Sequence, residues 1–191
     1  MRRLLPLCLA GTLLLGGVAG SSTVVAPTFD ALVTRAGSIF VGEVMDVRGQ
    51  WRNTREGRAI FTVVTFRVFD VWKGNLGAVT QLEFLGGAVG DDELVIAGMP
   101  KFVVGQRDVL FTTSEVRVIS PLVGFMHGRM RVERDISGVD RVRTFDGRPL
   151  VNPAELGPAR AAGGPTGVIT PMRLSEFGAA VRAHMNAARQ R

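Results

Sequence analysis

The run AIFTVVTFRVFDVW, residues 59 to 72, constrains this chain more than any other stretch. It is β-branched or aromatic almost throughout and contains neither Gly nor Pro, so it is predicted to be a long strand. Thr62, Val64, Phe66 and Val68 share one face, and Thr65 and Arg67 the other. Its neighbours continue the pattern. SIFVGEVMDV (38–47) reads as a strand with Ile39, Val41, Met45 and Val47 on one side. VTQLEFL (79–85) alternates with Thr80, Leu82 and Phe84 inward. Further strands are expected in ELVIAG, RDVLFTT, VRVISPLVG, GRMRVERD and RVRTF. A chain built this way must pair its strands into an antiparallel sheet.

Residues 85 to 111 contain five glycines, which raises the question of a phosphate-binding loop. Such a loop presents backbone N–H groups at a helix start, usually with a nearby Lys. Here Gly86-Gly87-Ala88-Val89-Gly90 runs into Asp91, Asp92 and Glu93, which is the wrong charge, and ELVIAG alternates with a strand period. The glycines therefore mark bulges and turns in hairpins. Phe102, lying between Pro100 and Gly105, is expected to plug the end of the sheet assembly.

Helices are expected near both ends. FDALVTRAG (29–37) places Phe29, Leu32, Val33 and Ala36 on one face, with Gly37 able to end it. A helix from about 175 to 189, within a C-terminal segment 174–191, carries the apolar stripe Leu174, Phe177, Val181, Met185 and Ala188; Ser175 is its expected N-cap. The Pro-, Gly- and Ala-rich residues between, 151–173, read as a linker or draped loop. The expected fold is mainly β: a small antiparallel barrel or sandwich over residues 28–150, with a short N-terminal helix and a C-terminal packing helix.

MRRLLPLCLAGTLLLGGVAG reads as a signal peptide, with Arg2 and Arg3 before an uncharged run and cleavage expected after Gly20. The run is shorter than the roughly 20 residues of a membrane-spanning helix. Secretion or a periplasmic location is thus expected. Cys8, the chain's one cysteine, would leave with the signal, so no disulfide scaffold is available to the mature chain. The net charge of +6 includes Arg2 and Arg3. What remains suits a soluble protein and does not identify a nucleic-acid binder.

AGSIFVGEV (36–44), FRVFDVWKG (66–74) and GQRDVLF (105–111) together resemble the netrin-like modules, the OB-fold group that includes the tissue inhibitors of metalloproteinases. The chain is similar in the same way to uncharacterised secreted bacterial proteins. The resemblance covers roughly residues 28 to 135, and it implies a small antiparallel OB-like barrel and a binding role, with protease inhibition within its range. Those inhibitors chelate zinc through a mature N-terminal cysteine. This chain would begin at Ser21, so that role carries over to no residue here.

Little points to catalysis. The two histidines, His127 and His184, lie far apart in sequence, whereas a zinc site wants three or four convergent ligands. A hydrolase would have to combine His127 with Ser114 or Ser120 and an acid such as Asp135, and no G-x-S-x-G elbow is present. Asp91, Asp92 and Glu93 lack the alternation of a calcium loop. No catalytic residue, metal or cofactor is expected.

The strongest binding candidate is VRGQWRNTREGR (47–58), read as a loop between the first two strands. Arg48, Arg52, Arg55 and Arg58 face Glu56 alone, and Trp51 sits among them. Trp offers a flat apolar surface and Arg a planar fork for carboxylate or phosphate; the alternative is that Trp51 folds back over the barrel and the arginines are simply solvated. A second basic patch is conceivable from Arg129, Arg131, Arg141 and Arg143, although Glu133, Asp135 and Asp140 nearby favour ion pairing. These features suggest a secreted non-catalytic binding module for a protein partner or an anionic envelope polymer. The alternatives are a cell-envelope assembly protein contacting through its C-terminal helix and a small hydrolase centred on His127.

Overall fold

The computed structural model describes residues 25–114, 119–158 and 169–190. The expected signal segment with Cys8, the expected start at Ser21, residues 116–118 of VRVISPLVG and residues 159–168 of the expected linker lie outside them.

Helix α1 (Phe29–Arg35) starts at Thr28, whose hydroxyl accepts the Ala31 N–H at 3.2 Å. It is followed by β1 (Ser38–Thr54), β2 (Gly57–Lys73), β3 (Val79–Leu85), the short strands β4 (Gly87–Val89) and β5 (Asp92–Leu94), then β6 (Arg107–Thr112), β7 (Arg129–Arg134), β8 (Asp140–Thr144) and helix α2 (Leu174–Arg189). Six strands form one antiparallel sheet in the order β3-β2-β1-β6-β7-β8, and β4 pairs β5 in a separate ribbon. The fold is therefore mainly β and antiparallel, with a helix before the strands and another after them. Among the described residues, no helix is long and apolar enough to cross a membrane.

The run 59–72 is β2, and it pairs along nearly its whole length with β1. Three residues fall out of that register: Met45 on β1, and Phe69 and Trp72 on β2. Each extra residue bends its strand and reverses the alternation beyond it. The placing of Ile39, Val41, Met45 and Val47 mostly on one side of β1 fails for this reason. Ile39 and Val41 pack beneath the helices, while Met45 stands out at the bulge and Val47 joins the opposite core.

The sheet is buried on both faces. On one, Val109, Phe111, Met130, Val132 and Val142 meet Leu32 and Val33 of α1 and Phe177 and Val181 of α2. Phe177 is the hub, within about 6 Å ring to ring of Phe29 (5.9 Å), Trp72 (6.0 Å) and Phe111 (6.1 Å). Gly178 lets the helix come this close, because a Cβ there would stand 2.9 Å from the Trp72 indole. The apolar stripe of α2 thus docks as expected, apart from exposed Ala188 in the last turn. Lys73, at the end of β2, closes α1 by donating to the Val33 and Thr34 carbonyls at 2.8 and 3.2 Å; burial pulls its pKa down.

On the other face, Phe40, Val44, Val64, Phe66, Phe84, Leu110 and Leu122 form a second core. Phe102 closes it, 5.5 Å from the Phe66 ring and 4.9 Å from Phe84.

Several boundaries differ from expectation. Helix α2 begins at Leu174 with Arg173 as N-cap, not at Ser175, because the Glu176 carboxylate accepts the Arg173 N–H at 2.8 Å and fixes the start there. ELVIAG stops being strand at Leu94, since its partner β4 is three residues long. Residues 119–124 contribute a single bridge, Thr112 to Leu122, rather than a strand.

Candidate binding surfaces

The segment 47–58 is not a loop. Pairing runs from Val47 opposite Val64 out to Thr54 opposite Gly57, leaving only Arg55 and Glu56 in the turn. The charge of the stretch suggests a loop, but the strand tendency of β2 supplies a partner for every residue and carries β1 along. Because β3 pairs β2 only from Phe61 to Arg67, and β6 pairs β1 only up to Glu43, the ribbon of residues 51–60 extends past both neighbours as a two-stranded arm.

Alternation sorts the arm's side chains. Arg48 and Arg52 share one face. Arg48 Nε lies 2.6 Å from Asp46 Oδ2, and Arg52 Nη2 lies 2.6 Å from Glu83 Oε1 on β3. Trp51 and Arg58 share the other face, with the guanidinium 4.6 Å from the indole centroid. Trp51 is 38 % exposed, while Ile60 opposite it is buried. Arg55, exposed at the turn, has no ion pair among the described residues. The structure thus brings Trp51, Arg55 and Arg58 to the free end and assigns Arg48 and Arg52 to acids at its base. On the Trp51 face the arm is backed by β4: Thr62 Oγ1 donates to the Gly86 carbonyl at 2.7 Å, and a Cβ on Gly49 would sit 1.8 Å from the Ala88 oxygen.

The second basic group is not a free cationic patch. Arg129 is buried, 1 % exposed, with Nε 2.9 Å from Asp108 Oδ1 and Nη1 donating to the Lys101 carbonyl at 2.6 Å. Its guanidinium covers the Phe102 ring at 4.3 Å. Burial raises the Asp108 pKa, with Arg129 and Arg131 working against the shift. Arg131 pairs in register with Asp108 on one side and Arg143 on the other. Arg141 meets Asp135 at 2.9 Å, and Arg143 meets Glu133 at 2.6 Å. Asp135 is pulled down to about 2, chiefly by the Arg141 hydrogen bond and then by the Val139 and Ser137 N–H groups.

The histidines are separated too. His184 on α2 lies 3.0 Å from Asp30 Oδ1, and the His127 ring is edge-on to Phe145 at 4.8 Å. Ser120 Oγ accepts the Leu122 N–H at 3.3 Å, and both Asp135 oxygens are occupied. No cluster of three metal-ligating side chains occurs among the described residues.

Sequence reasoning missed a cleft of about 400 Å³ between the bulged end of β2 and the start of α2. Val41, Phe69, Asp70, Trp72, Arg107, Asp140, Arg173 and Arg182 contribute to its walls. Its residues come from five elements and form no local motif. The only sequence trace is that FRVFDVW has more large apolar residues than one strand face can bury.

Fold and surfaces together define a mainly antiparallel β protein with one helical layer, a projecting hairpin arm and a charged cleft. The chain matches no family model, no curated protein and no solved structure.

Proposed function

We propose that this chain is an exported, non-catalytic binding module of OB-like build that recognises a protein partner through the hairpin arm. The observation that carries the reading is Trp51: a large aromatic, held by Arg58 on a paired ribbon beyond the body of the sheet, and left more than a third exposed. Rigid aromatic and Arg anchors of this kind concentrate binding energy in protein interfaces. Of the four arginines in residues 47–58, Arg48 and Arg52 are neutralised at the base of the arm, which favours a protein surface over a polyanionic polymer.

OB-like closure is supported by the three bulges in β1 and β2, which curl the sheet, and by hydrogen bonds of residues 119–123. Leu85 at the end of β3 donates to the Ile119 carbonyl at 2.9 Å, while Thr113 donates to Pro121 and Val123 to Phe111 at 2.8 and 2.9 Å. The resemblance to netrin-like modules agrees with such a build and with export. Assembly through α2 draws less support, because Phe177 and Val181 are already buried against the sheet.

The test is a photo-crosslinking residue in place of Arg55, in full-length protein made in its own cells. One discrete adduct is expected, lost in a Trp51→Ala/Arg58→Ala background that melts within a few degrees of wild type. An adduct unchanged by those substitutions, or no adduct in the folded protein, removes the arm as the recognition element.

A further inference from the structure

The cleft between β2 and α2 uses no residue of the arm. Phe69 takes the extra position of a bulge, so it leaves the strand's alternation and lines the cleft at 52 % exposed, with the Arg107 guanidinium 5.5 Å from its ring. Bulges commonly re-aim a side chain toward a functional site. Three guanidiniums line the same space, from Arg107, Arg173 and Arg182, against two carboxylates, from Asp70 and Asp140. Both acids are engaged: Asp140 by Arg107 at 2.9 Å, and Asp70 by the Trp72 indole N–H at 2.7 Å. Arg182 reaches Asp70 only at 4.0 Å, and Arg173 has no side-chain ion pair among the described residues. The Arg173 N–H is taken by the Glu176 carboxylate, and the cleft's cationic groups are the three guanidiniums.

We propose that this cleft binds a monoanionic carboxylate with an aromatic or apolar body. The carboxylate pairs with Arg173 and Arg182, whose planar forks match its two oxygens. The body lies against Phe69 and Trp72. A cleft of about 400 Å³ is within the range of small-molecule sites. The surplus of a single positive charge selects a monoanion, because a phosphate dianion would also face Asp70 and Asp140. Either a small aromatic acid or the C-terminus of a peptide supplies this chemistry.

The chain has two tryptophans, Trp51 and Trp72, so a full-length Trp51→Phe variant reports on the cleft through Trp72 fluorescence. Three probes are titrated: N-acetylphenylalanine, its amide, and a peptide ending in phenylalanine with a free carboxylate. A saturable change with an acid probe is expected, weakened about tenfold or more in the amide, in Arg173→Gln and in Phe69→Ala at unchanged melting temperature. Saturation by the free amino-acid derivative identifies a small-acid site; saturation by the peptide alone identifies a C-terminus reader. The proposal is overturned if neither acid saturates, if the amide binds equally, or if Arg173→Gln binds like its parent.

Discussion

Arg129 sits at an alternating strand position with Arg131 and Glu133, and nothing in GRMRVERD distinguishes it from them. In the fold it is the largest fully buried side chain among the described residues, bonded to Asp108 and to the Lys101 carbonyl and stacked on Phe102. It pins the 99–104 segment over the second core. Removing one partner leaves a buried charge without compensation, which costs far more than replacing both. Arg129→Ala is therefore expected to lower stability by about 3–5 kcal/mol in urea unfolding, whereas the apolar pair Asp108→Leu with Arg129→Met recovers most of that loss. Equal losses in the two proteins would mean that the ion pair and the hydrogen bond to the Lys101 carbonyl stabilise the fold outright, because Arg129→Met keeps much of the apolar stem. A strand periodicity names the face a residue shares; it does not say whether that face is later covered by a loop, and here the cover comes from residues near Phe102.

At the scale of elements, much was legible where one period ran unbroken. The two helices and the strands β1, β2, β3, β6, β7 and β8 follow from their apolar spacing, and the alternation of β3 survives with Phe84 buried and Glu83 exposed. The errors cluster where pairing, not propensity, decides. Three bulges reverse the faces of β1 and β2, and the charged stretch 47–58 becomes strand because its partner is one. Trp51, Arg55 and Arg58 are found together at the arm's end, but the pairing of Arg48 with Asp46 and Arg52 with Glu83 depends on a register the sequence does not print. Gly49 tests the contact that backs this arm. A Cβ there collides with the Ala88 carbonyl, which is backbone and cannot rotate away. Gly49→Ala is expected to push β4 off the arm at a cost of about 1–3 kcal/mol. Hydrogen exchange should then show lost protection at the Gly86 N–H, which donates to the Ile60 carbonyl at 2.7 Å, with the β1–β2 ladder intact. Retained protection at Gly86 would show that β4 yields without detaching.

For the whole molecule, two sets of carboxylates predict opposite responses in adjacent pH windows. Asp108 has its pKa raised above 3.8 by burial, so the unfolded chain ionises it more readily than the folded one. Its ionisation costs the fold stability, and that cost is relieved as pH falls through the raised value toward 3.8. Asp135 has its pKa lowered to about 2, first by Arg141 and then by the Val139 N–H. Its stabilisation is complete above 3.8 and is lost as pH falls from there toward 2. Asp146 acts in the same sense: burial raises its pKa, but the Thr144 hydroxyl and Arg148 outweigh burial and leave it lowered. Melting temperature followed downward from pH 7 should therefore gain a contribution from Asp108 above 3.8 and lose the contributions of Asp135 and Asp146 below it. Asp108→Asn removes the upper gain alone, and Asp135→Asn flattens the lower fall alone. If Asp135→Asn leaves the slope below 3.8 unchanged, the β7–β8 turn is not where acid first loosens this fold. The two variants act in separate windows because one carboxylate is controlled by the core under Phe102 and the other by a surface turn.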